Sequence, residues 1–143
     1  MQSGGAPATV GNTGQMTLWN DAGSQRMCNL YGLSYQPGSP GAGENVFFGH
    51  TAVIPPTIFS YGKNLLLGVG QNSAAVRPGY NVTNAGFANM TIMMTIPYEA
   101  AEPLTWIFFP MPIIIPPGRG FVVTMQAQQR AMTCEYLWFE SPL

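Results

Sequence analysis

An all-β fold, a single-domain antiparallel β-sandwich of jelly-roll type, is what this sequence predicts, and three observations carry the prediction. Nowhere does an apolar 3.6-residue pattern persist for three helical turns. Instead, about eight short runs alternate with the period of two that a half-buried strand requires. Glycine and proline, 17 and 13 of 143 residues, mark the turns between strands. That many strands with such turns favour a sandwich or barrel, and the strand number favours a jelly roll.

Taken in order, residues 1–14 are rich in Gly, Ala, Ser and Thr and offer little to bury. They are expected to form a flexible N-terminal arm, either a loose terminus or a segment reaching onto a partner subunit. The sandwich domain then spans 15–143. Gln15 to Asn20 reads as a first strand and Asn20 to Ser24 as a turn. From Arg26 to Gln36, Met27, Asn29, Tyr31, Leu33 and Tyr35 share one predicted face, with Cys28, Leu30, Gly32 and Ser34 on the other. Pro37 to Gly43 breaks the chain, and a strand around Val46–Phe48 ends at Pro55–Pro56. Thr57 to Gln71 mixes apolar residues with glycines, which favour extended pieces over a helical turn at Ser60 to Val69. Asn72 to Asn89 is expected to be a long polar excursion. Met90 to Pro97 and Leu104 to Phe109 resume strands.

The C-terminal stretch carries the clearest pattern. Ile113, Ile114 and Ile115 read as a buried strand stopped by the rigid Pro116–Pro117–Gly118 turn. Phe121, Val123, Met125 and Ala127 alternate with polar or β-branched partners, and a polar turn at Gln128–Arg130 leads to a closing strand. A β-hairpin is therefore expected here. In the closing strand Met132, Cys134, Tyr136 and Trp138 face the core, which turns Leu137 and Phe139 outward beside Glu135. That outward set is either a contact patch or a face covered by a second layer.

Composition narrows the function. Charged residues make up 8% of the chain, against roughly 25% in ordinary soluble domains. A lone subunit with so few ionised groups tends to associate, so the expected molecule is one whose faces are covered by partners. The five Lys and Arg residues (Arg26, Lys63, Arg77, Arg119, Arg130) are scattered singly, which gives nucleic-acid binding no electrostatic stripe. No apolar run approaches a membrane span, and no basic-then-apolar leader is present.

Chemistry-bearing residues are sparse. His50 is the single histidine, so a multi-His metal site or a triad lacks partners and a surface or packing role is expected. Asp21 fits a turn. Glu99 and Glu102 flank one proline-containing loop, whereas glycosidic cleavage needs carboxyls held opposite each other across a bond. Cys28 and Cys134 read as core residues, with a disulfide open if their strands are neighbours. Asn81–Thr83 and Asn89–Thr91 match the glycosylation pattern but carry no weight without a secretory leader. Gly118–Arg119–Gly120 lacks the further glycines and lysine of a phosphate loop and reads as a tight turn. No enzyme activity, metal or cofactor is expected. The candidate interface residues are Leu137, Phe139, Glu135 and Arg119.

Two motifs carry a resemblance. Leu18–Trp19–Asn20, then Ala22–Gly23–Ser24, then a strand from Arg26, resembles the opening Leu-Trp-Asn-Pro-Ala-Gly-Ser-Gly pattern of small tailed-phage and prophage virion proteins. Those proteins also close with an apolar strand, a Pro-Pro-Gly turn, an alternating strand and a last strand with Trp near its end. Here these are Ile113 to Gly120, Phe121 to Ala127 and Ala131 to Glu140, with Trp138 near the end. The resemblance covers both ends and not the middle, and Asp21 stands where the pattern has proline. It implies a jelly-roll accessory protein of the virion: a decoration or cement subunit, assembled in the host cytoplasm onto the outer capsid surface. Its implied partners are the major capsid protein, across joints between subunits, and itself as homodimer or homotrimer. The alternative is a tail- or fibre-associated carbohydrate-binding module for host attachment, with Trp106, Tyr80 and Tyr98 lining its groove.

Overall fold

The computed structural model describes residues 2–6, 13–37, 44–51, 58–59, 76–80, 91–98, 104–128 and 132–143. Among these there is no helix. The strands are β1 (Gln2–Ala6), β2 (Thr13–Asn20), β3 (Arg26–Pro37), β4 (Glu44–Thr51), β5 (Ile58–Phe59), β6 (Val76–Tyr80), β7 (Thr91–Tyr98), β8 (Thr105–Ile115), β9 (Arg119–Gln128) and β10 (Met132–Pro142). They form two antiparallel sheets: a four-stranded sheet ordered β1-β10-β3-β8, and a six-stranded sheet ordered β5-β6-β2-β9-β4-β7. With the short β5–β6 pair set aside, the chain changes sheet at every connection except that from β4 to β7. This is the jelly-roll sandwich that strand number predicted.

The core lies between the sheets and draws on both. Cys28, Leu30, Leu33, Tyr35, Ile115, Cys134 and Tyr136 come from the four-stranded sheet. Met16, Leu18, Val46, Phe48, Val76, Phe121 and Val123 come from the other. Two edge-to-face aromatic pairs join the layers, Tyr35–Phe48 at 5.4 Å and Phe109–Phe121 at 6.2 Å.

The structure corrects the sequence reading at four places. The C-terminal hairpin does not form: β9 and β10 lie in different sheets, β9 between β2 and β4, and β10 between β1 and β3. Period-two alternation states which residues face inward, not which layer holds the strand, so two sequential strands read alike whether they pair or cross. In the N-terminal arm, Gln2–Ala6 is paired in register with β10, from Gln2 opposite Tyr136 to Ala6 opposite Met132, and β2 begins already at Thr13. Unsatisfied peptide groups on the edge of β10 give even a side-chain-poor segment a partner. Residues 105–109 and 113–115 belong to one strand, β8, in which Ile115 alone of the isoleucines at 113–115 is buried.

The fourth correction is in β3. Tyr31 has no partner on either side: Leu30 pairs with Trp138 and Ile113, and Gly32 with Leu137 and Phe108. This bulge shifts the alternation by one residue. Cys28 and Leu30 point inward before it, Leu33 and Tyr35 after it, and Tyr31 is left exposed. Most of 52–75 and 81–90 lies outside the described residues, including the two glycosylation patterns apart from Thr91; of the expected excursion over 72–89 the described part, Val76–Tyr80, is strand β6.

One cluster ties the two ends of the chain together. Asn20, fully buried, donates its side-chain amide to the carbonyls of Arg26 at 2.8 Å and Ile115 at 2.9 Å. The Gly118 amide, in a turn with φ of 74°, donates to the Asn20 carbonyl at 2.8 Å. A left-handed residue there favours glycine. A Cβ at Gly120 would lie 2.7 Å from both Thr17 Cγ2 and Trp19 Cε3, so the Trp19 ring packs where only glycine fits. The Leu-Trp-Asn and Pro-Pro-Gly motifs, far apart in sequence, are two halves of one structural joint.

Candidate interaction face

On the outer side of the four-stranded sheet, strand register sets out three rows. Trp106, Ser34 and Glu135 are aligned across β8, β3 and β10; so are Phe108, Gly32 and Leu137; so are Ile114, Asn29 and Phe139. Directly paired residues share a face, so each row presents its side chains together. Phe108, Phe139 and Ile114 are 65%, 62% and 57% exposed, and Trp106 and Tyr31 are also exposed. The Trp106 and Phe108 rings stack at 5.7 Å with planes 8° apart. The ring of Phe108 lies over Gly32, where an added Cβ would come within 2.9 Å of its Cδ1.

Polar groups on these rows are mostly engaged. Ser34 Oγ donates to Glu135 Oε2 at 3.4 Å. Asn29 Nδ2 donates to the Phe139 carbonyl at 3.3 Å and to Ser141 Oγ at 3.2 Å. Glu135 is the one charged residue of the three rows. The arrangement can form contacts by burying apolar surface and offers little for bond chemistry.

Three of the four candidate interface residues, Leu137, Phe139 and Glu135, therefore sit on this face. Arg119 does not join them. It begins β9 in the other sheet, opposite Asn20, and lines a separate cleft with His50. Trp106, Phe108 and Ile114 extend the face across β8. The alternation of Trp106 and Phe108 was visible in sequence, but their position beside β10 depends on β3 lying between, which local pattern does not state.

The remaining candidates fall out as follows. His50 is exposed on β4, paired with Phe121. Asp21 closes the turn through the Ser24 amide at 3.0 Å. Cys28 and Cys134 are on neighbouring strands but out of register, Cys28 opposite Glu140 and Cys134 opposite Tyr35, and both are free and buried. Burial pushes the Cys134 thiol up from 9.0 to about 12, the Tyr136 hydrogen bond opposing this and Glu135 adding to it. Burial, then the charge of Glu140, raises Cys28 as well. Tyr80 and Tyr98 belong to strands of the six-stranded sheet, away from Trp106 in the other. Glu99 and Glu102 lie outside the described residues. Among the described residues, no three His, Cys, Asp or Glu side chains gather as a metal site.

Comparison with known proteins leaves the site to be read on its own geometry: no family model matches the chain, and no curated protein or solved structure matches it significantly.

Proposed function

We propose that this chain is a non-enzymatic structural subunit of a virion, which decorates and cements the capsid by binding across joints between major capsid protein subunits. It acts as a homodimer or homotrimer on the outer capsid surface. The observation that carries the reading is the open outer face of the four-stranded sheet: three register rows in which β8 and β10 carry Trp106, Phe108, Ile114, Leu137 and Phe139, with Glu135 the one charge. A face of this kind marks an interaction site on a folded protein. The low charge of the whole chain and the two end motifs that resemble virion accessory proteins support the same reading. Repeated on a symmetric shell, modest contacts sum to strong stabilisation.

Light scattering on the purified protein tests the first part, with a dimer or trimer expected. Adding it to capsids that lack it should raise their rupture temperature. Phe139→Asp should weaken both effects while leaving the subunit folded. A monomer that ignores capsids overturns the reading. The exposed, parallel-stacked Trp106–Phe108 pair favours one rival, a carbohydrate-binding module, since the open face of an aromatic ring suits a sugar ring. Retention of glycans on an array, lost in Trp106→Ala, would establish that rival instead.

A further inference from the structure

A second feature borders the open face and shares only Ile114 with its three rows. At one end of the sandwich a cleft of about 340 Å³ runs between β8 of one sheet and β4, β7 and β9 of the other. Among the described residues its lining is aliphatic along Ile113, Ile114, Ile115 and Met93, and its ionisable groups are His50 and Arg119.

Register explains why these two converge. His50 is paired with Phe121, whose ring is buried in the core, so His50 is directed to the inner side of its sheet. Arg119 precedes Phe121 by two residues on β9 and shares that side. Diagonal neighbours of this kind are about 7–8 Å apart at the backbone, within reach of one small anion for two long side chains. Both residues are exposed while Phe121 is buried, which places the basic heads at the solvent side and the apolar surface below them. Among the described residues no carboxylate lines the cleft, and neither basic group makes an ion pair.

We propose that this cleft binds a medium-length alkyl carboxylate. Arg119 and His50 hold the carboxylate by charge-assisted hydrogen bonds, and the alkyl chain lies along Ile113, Ile115 and Met93. The volume is at the small end of ligand sites, and an aliphatic wall suits a chain better than a flat heteroaromatic ring. The inference is independent of capsid assembly.

Titration calorimetry on the full chain tests it, with decanoate as probe below its micellar concentration and decanol as the uncharged control. Saturable one-to-one binding of decanoate is expected, with decanol weaker by at least about tenfold, the loss of one charge-assisted interaction. Arg119→Gln should weaken decanoate by a similar factor, and His50→Gln should weaken it less. Both side chains are exposed, so the variants should keep the parent melting temperature, and circular dichroism checks this. Phe139→Asp should leave the titration unchanged. The proposal is overturned if decanoate shows no saturable binding, if decanol binds equally well, if Arg119→Gln has no effect, or if Phe139→Asp removes binding and so places it on the open face.

Discussion

The outer faces of the two sheets differ sharply. On the four-stranded sheet Phe108, Ile114 and Phe139 stand open to solvent. On the six-stranded sheet the corresponding outward positions of β2 and β9 are shut: Thr17 and Val122 are 0% exposed, Thr124 4% and Trp19 6%. Their neighbours Met16, Leu18, Phe121 and Val123 fill the core, so the centre of this sheet is buried on both sides. At its centre, on β2 and β9, one sheet has both faces closed within the subunit, and the other has a face left over. The closed sheet holds the fold; the open one has apolar surface to give to a partner.

The largest effect that tests this contrast is at Trp19. Trp19→Ala removes a buried ring from over Gly120 and should cost about 3–5 kcal/mol by urea denaturation. Were the loss no larger than at an exposed position, the outer face of the six-stranded sheet would not be closed. Asn20→Ala should follow at about 1–3 kcal/mol, because the buried carbonyl of Ile115 loses its donor and the partly buried one of Arg26 loses the shorter of two. Gly120→Ala should cost about 1–3 kcal/mol, the overpacking penalty of a Cβ driven into Thr17 and Trp19.

A pH titration probes the core that both sheets share. The Cys134 thiol, raised from 9.0 to about 12 by burial, favours its neutral form in the folded state. Cys28 and the Tyr136 hydroxyl are raised in the same direction, chiefly by burial. Groups raised in this way contribute stability that is fully present below the unfolded pKa and lost as pH rises through the folded one. Stability should therefore be insensitive to these groups up to pH 9.0 and fall above it. The slope is about 1.4 kcal/mol per pH unit for each thiol. Cys134→Ala should flatten part of that decline, read as the melting temperature between neutral and strongly alkaline pH.

How much of this was legible beforehand follows from what alternation encodes. Cys134 and Tyr136 inward, and Phe139 outward, were readable because β10 keeps its period to its end. The faces of β3 were misassigned past Tyr31 because a bulge inserts one residue without changing composition. The hairpin was misread because β9 and β10 have the same pattern whether they pair or cross the sandwich. Asn20 read as an ordinary turn residue, since its partners are carbonyls at Arg26 and Ile115, one of them distant in sequence. The cleft was invisible for the same reason: His50, Arg119 and Ile113 to Ile115 meet only once two sheets are stacked.

The smallest effect on the subunit gives the sharpest test of the contrast. Phe108 was not among the interface residues readable from the closing strand, yet it is more exposed than Phe139 and occupies the far side of the same face. Phe108→Ser removes a ring that touches Trp106 and shields Gly32. Its burial is slight, so the folded subunit should change by no more than about 0.5–1 kcal/mol. Association measured by light scattering should nevertheless fall as far as it does for Phe139→Asp. Loss of association from β10 alone would confine the contact to one strand. Equal loss from β8 and β10, two strands separated by β3, would mean that the partner covers the sheet as a whole.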